Sequence, residues 1–321
     1  MYELFIQNKD KIYSPIIEGE IKYTTEIAGA PSKLAFKVVK DNIINFQEGN
    51  QVIFRVDNTD VFYGFVFAKE RNREQIISVT AYDQLRYLKN KDSYIFKNKK
   101  ASEIVQMIAN DFHLNIGDIE DTGFIIPKRV EDRTTLMDII INALKETLVY
   151  TKKIFVLYDD FGKLCLKNIE SLKLPENLVI SGHSVVDFTY KTDIDSDTYN
   201  QIKLIRDNET TGKRDVYIKK DSSSINDWGV LQYYETVDKN ANPAQIKEQA
   251  AQILTLKNRK TKSLTIKDAL GDKRVRAGKS IMTVLENIGD ISIAQYLIID
   301  RCEHIFRNSE HFMSLDLRGN Y

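Results

Sequence analysis

Apolar and polar residues alternate with a period of two along most of the first third of the chain. Tyr2, Leu4 and Ile6 alternate with Glu3 and Gln7, and Leu34, Phe36 and Val38 repeat the pattern, as do Val52, Phe54 and Val56. This is the signature of strands with one buried face. The run from Val61 to Ala68 is apolar on both faces, which predicts a strand covered on both sides. Ile77, Val79 and Ala81 close the series, and Glu48-Gly49-Asn50 and Asp57 to Asp60 supply the turns. Short strands at this spacing predict a barrel or a sandwich.

The period then changes. Ala101, Ile104, Val105, Ile108 and Phe112 fall on one helical face, as do Leu136, Ile139, Ile140, Ala143 and Leu144. Thr135 and Asp138 stand at the spacing of a capping box. The stretch "KIFVLYDDFGKLCLKN" reads as a hairpin turning at Asp159-Asp160-Phe161-Gly162, so positions from about 90 to about 180 predict an α+β unit. From Phe188 the strands return, interrupted by one helix with Asn242 as N-cap, Pro243 at its first position, and Ile246, Ala250, Ile253 and Leu254 as its stripe. The two β regions resemble each other. "EGNQVIFRV", "VFYGFVFAKERN" and "IISVTAY" around Gly49 match in order and character "RAGKSIMTV", "QYLIIDRCEHIFRN" and "HFMSLDL" around Gly278. Identity is thin, but the physical implication is two copies of one barrel.

Composition narrows the functional classes. The chain has 321 residues, 42% apolar and 29% charged, enough for two or three cores. Lys plus Arg equals Asp plus Glu at 46 each, against the basic excess of a protein that holds polyphosphate. Cys165 and Cys302 stand far apart and offer no disulfide framework, which suits a reducing compartment. The N-terminus lacks the charge and apolar pattern of a signal peptide, and no apolar run is long enough to span a bilayer.

Candidate chemistry is sparse. "AGKS" (Ala277 to Ser280) lacks the earlier glycine of a phosphate loop at the right spacing and precedes a strand pattern, so it reads as a strand-entry turn. "DIDSD" (Asp193 to Asp197) begins like a calcium loop, but Thr198 and Leu204 replace the required Gly and Glu, so it reads as a solvated acidic loop. Cys302 and His304 share a strand face with His311 near, yet no second ligand pair sits at zinc spacing. No hydrolase elbow or zinc-protease motif is present. The stretch from Ser78 to Lys100 threads Arg86, Lys89, Lys91, Lys97, Lys99 and Lys100 with Tyr87, Tyr94 and Phe96. Such a mixture fits a single-strand nucleic-acid groove. The plainer expectation has Tyr82, Leu85 and Leu88 closing the first barrel while the lysines solvate an exit linker.

Longer stretches carry a resemblance. "SVTAYDQLRYLKNKDSYIF", "LKETLVYTKKIFVLYDDFGKLCLKN", "YNQIKLIRDNETTGKRDVYIKKDSSSINDWGVLQYYE" and "NRKTKSLTIKDALGDKRVRAGKSI" resemble the XkdQ/YqbQ family, the baseplate hub proteins of contractile phage tails, defective prophage particles and phage-tail-like bacteriocins. The resemblance covers nearly the whole chain. It implies a mainly β fold with an α+β insertion: two related tube-type β-barrel domains at 1–90 and 184–321, flanking a mixed α+β domain at 91–183, with one inserted helix near 243–258. It further implies a homotrimer similar to the upper part of type VI secretion spike proteins. Its expected neighbours are the tail tube protein or a tube initiator, the spike, the baseplate wedges and the tape-measure protein. No catalytic position, cofactor, metal or membrane insertion is implied. The chain would be made in the bacterial cytoplasm and assembled into a baseplate. Val61, Phe62, Tyr63, Phe65 and Phe67, with Tyr296 and Ile298 as counterparts, are the candidate subunit-interface residues, unless elements of their own chain cover them. A tail-associated cell-wall hydrolase and a receptor- or DNA-contacting tail module are the competing readings.

Overall fold

The computed structural model describes residues 2–27, 29–182, 187–208, 212–237, 241–288 and 291–319. The alternating first third forms seven strands: β1 (Tyr2–Asn8), β2 (Lys11–Tyr13), β3 (Ile21–Glu26), β4 (Lys33–Val39), β5 (Gln51–Val56), β6 (Thr59–Arg71) and β7 (Ile76–Tyr82). Their inward residues, among them Leu4, Tyr23, Leu34, Phe36, Phe54 and Val79, meet in one core, so this part of the sheet curls around its own side chains. Asp57 and Asn58 both take left-handed backbone in the two-residue turn between β5 and β6, a conformation that Asp and Asn tolerate.

The middle holds β8 (Lys91–Lys100), α1 (Ala101–Asp111), β9 (Ile116–Ile119), β10 (Ile125–Thr135), α2 (Leu136–Thr151), β11 (Phe155–Asp159), β12 (Leu164–Asn168) and the short β13 (Val179–Ser181). The expected stripes of α1 and α2 are buried together. The Thr135 hydroxyl caps α2 by accepting from Asp138 N–H at 3.1 Å. The hairpin turns where expected, with Phe161 and Gly162 at positive φ.

The last part holds β14 (Asp187–Asp193), β15 (Gln201–Asn208), β16 (Lys213–Lys220), α3 (Ser222–Trp228), β17 (Gln232–Thr236), α4 (Pro243–Lys257), β18 (Thr261–Leu270), β19 (Ser280–Ile288), β20 (Ile291–Arg307) and β21 (Glu310–Arg318). Helix α4 starts as the sequence predicts: Asn242 accepts from Ala244 N–H at 2.8 Å and Pro243 occupies the first turn. It is part of a larger insertion, however. Strands β15, β16 and β17 form their own three-stranded sheet, and α4 packs on it through Ile246, Ala250 and Ile253. The segments "TYNQIKLIRD" and "KRDVYIKKD" therefore stand outside the main sheet.

That main sheet has thirteen strands in the order β14-β18-β21-β20-β3-β4-β7-β6-β5-β1-β2, with β19 beside the first half of β20 and β13 beyond it. The order β3-β4-β7-β6-β5 is repeated as β14-β18-β21-β20-β19. The correspondence extends to single hydrogen bonds. Gly49 N–H donates to Val66 O at 2.8 Å, and Gly278 N–H donates to Ile299 O at 2.9 Å. The β6–β7 ladder has an irregularity between Val66 and Ala68, and the β20–β21 ladder has one between Ile299 and Arg301.

Two closed barrels were expected; among the described residues the strands instead run as one open path, and β20 hydrogen-bonds to β3 across the two units. Periodicity specifies strands and buried faces, but it carries no information about which edge meets which. A second correction concerns Leu85 and Leu88. They lie on a 3-10 helix, Gln84–Lys89, but their side chains enter the core of the middle region rather than closing the first unit.

The two equivalent glycines give a controlled comparison. Both Gly49 and Gly278 have φ of +85°, but an added Cβ meets nothing at Gly49 and lies 2.4 Å from Val156 Cγ1 at Gly278. Gly49→Ala is expected to cost about 1–2 kcal/mol from left-handed strain. Gly278→Ala should cost a further ~1–3 kcal/mol, because β11 must yield. Urea unfolding of the two variants checks the difference.

Candidate assembly interface

Strands β20 and β3 join the two β units edge to edge. The register of this joint pairs Arg301 with Glu26, Cys302 with Thr25, Glu303 with Thr24, His304 with Tyr23, Ile305 with Lys22 and Phe306 with Ile21. Ile27 N–H opens it by donating to Asp300 O at 2.8 Å. On one face Thr24 donates to Glu303 at 3.5 Å and Arg301 lies 3.4 Å from Glu26.

The other face is dry. Cys302, His304, Phe306, Ile21, Tyr23 and Thr25 are all buried. The His304 ring stacks on Tyr23 with centroids 6.0 Å apart. His304 Nε2 lies 2.8 Å from Val275 O, so that nitrogen carries the proton, and Nδ1 accepts from His311 Nε2 at 2.8 Å. Burial pushes both imidazoles down to about 4, and for His311 the neighbouring His304 adds to the effect. Burial likewise pushes the Cys302 thiol up, so it packs as a neutral group. The trio noticed in the sequence is thus a hydrogen-bonded core chain, and no group of three or more potential metal ligands gathers among the described residues.

The same structural positions elsewhere are open. Strand β6 pairs with β5 only as far as Phe65, with Val66 bonded to Asn50; beyond it, Ala68 to Arg71 are exposed and that edge pairs with no described strand. Among the described residues strand β14, the counterpart of β3, pairs with β18 alone. Phe188 and Tyr190 on β14 pack partly against the core of the second unit.

The candidate interface residues fall in two classes. Phe62 is buried in the first core, edge-on to Tyr23, and Ile298 is buried with Val156 and Ile169. Val61, Tyr63, Phe65, Phe67 and Tyr296 are half-buried. Tyr63 packs edge-on against Phe161, Phe65 and Phe67 pack against Tyr87, and Arg86 lies over the Phe67 ring. Tyr296 donates its hydroxyl to Leu174 O at 3.2 Å.

The lysine-rich stretch forms a strand rather than a linker. Strand β8 pairs with β10, Lys100 bridges Asp121 at 2.6 Å, and Lys99 lies 3.4 Å from Glu103. Phe96 is buried, and the Tyr94 ring stacks on it with centroids 5.3 Å apart while its hydroxyl donates to Asp111 at 2.8 Å, so both rings already serve the core of the middle region.

Two features escaped the sequence reading. One is a buried polar node where all three regions meet. Arg276 donates to Asp159 O at 2.8 Å and lies over the Tyr158 ring at 4.7 Å, facing the buried carboxyls of Asp83 and Asp159. Asp83 accepts from Ser32 and Leu85 N–H, and Asp159 accepts from Gly162 N–H and Gln84. Burial pushes both carboxyls up, and for Asp83 the facing Asp159 adds to the shift. The other is a groove of about 770 Å³ between Met137, Ile141 and Leu144 of α2 and Glu26, Asp300 and Arg318 of the main sheet. Its described lining holds no Ser, Thr, Cys or His.

This mainly β fold, with one strand order used twice, is similar to the folds of several solved tail proteins. It superposes on the prophage MuSo2 43 kDa tail protein of Shewanella oneidensis with a TM-score of 0.71 at 14% identity, covering 98% of each chain. The tail protein of Neisseria meningitidis MC58 gives 0.70 at 11% identity, over 99% of this chain and 97% of that one. The E. coli c3393 protein, a type VI secretion component with structural similarity to T4 tail proteins, gives 0.59 at 10% identity, over 99% of this chain and 76% of that one. This chain belongs to the YQBQ-like family, whose model matches residues 21–318. It is similar to two Bacillus subtilis (strain 168) proteins, each 32% identical over 99% of this chain: the uncharacterized protein YqbQ, of which 96% is covered, and the phage-like element PBSX protein XkdQ, of which 97% is covered.

Proposed function

We propose that this chain is the structural hub of a contractile phage-type tail or a related bacteriocin. Three copies form a ring of six similar units, with the hexameric tail tube on one side and the trimeric spike on the other. The observation that carries this reading is the strand order repeated within one continuous sheet. A chain with two like units lets a threefold object present six like surfaces. Kinship with the PBSX protein and the likeness to tail proteins support the same setting.

The domains proposed are 1–90, 91–183 and 184–321. The middle region and the β15–β17 insertion are free to meet baseplate wedge proteins. Val61, Tyr63, Phe65, Phe67 and Tyr296 keep part of their surface open. They form the lateral apolar surface that the ring covers, with Phe62 and Ile298 supporting it from inside. Assembly takes place in the baseplate, and the role needs no catalysis. A peptidoglycan zymogram is expected to show no clearing.

Light scattering on the purified chain, alone and mixed with its tube and spike proteins, tests the proposal. Three times the 37.1 kDa chain mass is expected. A monomer in every mixture would end this reading.

A further inference from the structure

Resting on the trimer reading, we infer that the exposed edge of β6 pairs with β14 of a second copy, in the register that β20 and β3 use within one chain. The register follows from positional equivalence. Val66 matches Ile299 through the shared glycine hydrogen bond, so Ala68, Lys69, Glu70 and Arg71 match Arg301, Cys302, Glu303 and His304. In the other strand Tyr23 pairs with Leu34 as Tyr190 pairs with Leu264, and Leu34 pairs with Ala81 as Leu264 pairs with Leu317. Tyr190 therefore matches Tyr23. The local sequences agree, "KYTTEI" at 22–27 against "TYKTDI" at 189–194.

Transferring the internal register places Ala68 opposite Asp193, Lys69 opposite Thr192, Glu70 opposite Lys191 and Arg71 opposite Tyr190. Ile194 N–H then donates to Phe67 O, as Ile27 does to Asp300 O. The side chains fit. Glu70 and Lys191, both exposed, take the place of the Glu303–Thr24 hydrogen bond with an ion pair. Arg71 meets the half-covered Tyr190 ring where His304 meets Tyr23, a cation over an aromatic face. The internal joint has one buried face of Cys302, His304, Phe306, Ile21, Tyr23 and Thr25, whereas the external one carries charged side chains on both faces. A contact between separately folded chains is expected to be the more polar of the two. The joint also removes the two exposed edges that would otherwise invite unspecific strand pairing.

The test is a Glu70→Cys/Lys191→Cys variant under mild oxidation, with each single variant and the unmodified chain as controls. The native Cys165 and Cys302 are both buried. Only the double variant is expected to give covalent trimers on a non-reducing gel. Glu70→Lys should weaken self-association about tenfold, because it puts like charges face to face, and Glu70→Lys/Lys191→Glu should restore it. Trimers by light scattering with no crosslink, and with no effect of charge reversal, would overturn this joint and leave the trimer reading standing. A chain that stays monomeric with every partner would overturn both. Covalent dimers that never close to trimers would support the joint and overturn threefold closure.

Discussion

Arg276→Ala is expected to destabilise the fold by about 3–5 kcal/mol at pH 8, the range for removing one partner from a buried charge group. Its guanidinium faces Asp83, at the exit from the first unit, and Asp159, in the hairpin turn of the middle region, while Arg276 itself precedes β19. Burial works against its charge, but Tyr23, Asp83 and Asp159 together hold it firmly protonated. Its removal takes away the cation that faces two adjacent buried carboxyls. They can then be neutralised only by protons, so the loss should shrink markedly at pH 5.5. Urea unfolding at the two pH values measures it. Asp159→Asn in the Arg276→Ala background should recover part of the loss at pH 8 and little at pH 5.5. An equal loss at both pH values would show that packing over Tyr158, rather than charge, is what the arginine supplies.

Acidification of the native chain is expected to act through the histidine pair. Both imidazoles are held near 4 instead of the ordinary 6.5, so in the fold they stay neutral at pH values where in the unfolded chain they bind protons. Their stabilisation is complete above about pH 6.5 and drains away as pH falls toward 4. For the fully enclosed His304 this amounts to about 3 kcal/mol, and for the partly open His311 to less. Asp83 and Asp159 work the other way. Their pKa values are raised in the fold, so they favour it more as pH falls from neutral toward the ordinary carboxylate range. The His304→Asn/His311→Gln variant should therefore lose the acid-side decline and show a shallow slope of opposite sign. Unfolding midpoints between pH 7 and pH 4.5 decide it.

Much of this architecture could be read from residues. The stripes of α1 and α2, the Asn242-Pro243 helix start, the Asp159–Gly162 turn and the strand entry after Gly278 all follow from local rules, and each is where those rules put it. Local rules stop at the edges of strands. Nothing in the period of β20 says that its second half leaves β19 and joins β3, because backbone hydrogen bonds carry no side-chain signature. The same limit hid the separate sheet of β15, β16 and β17. The destination of Leu85 and Leu88 was hidden too, since an apolar face does not name the core it enters. One signal was present and missed. The match of Tyr23, Thr25 and Ile27 with Tyr190, Thr192 and Ile194 marks β3 and β14 as equivalents.

The β20–β3 joint has a geometric consequence. A head-to-tail contact either comes round to its start or continues as a fibre, and the rotation carried by each step decides which. Here one such step is held inside the polypeptide, between its own halves, by a continuous backbone. In the ring proposed above, repeating that internal rotation at the outer edges would set how many molecules complete a circle before any two of them have met.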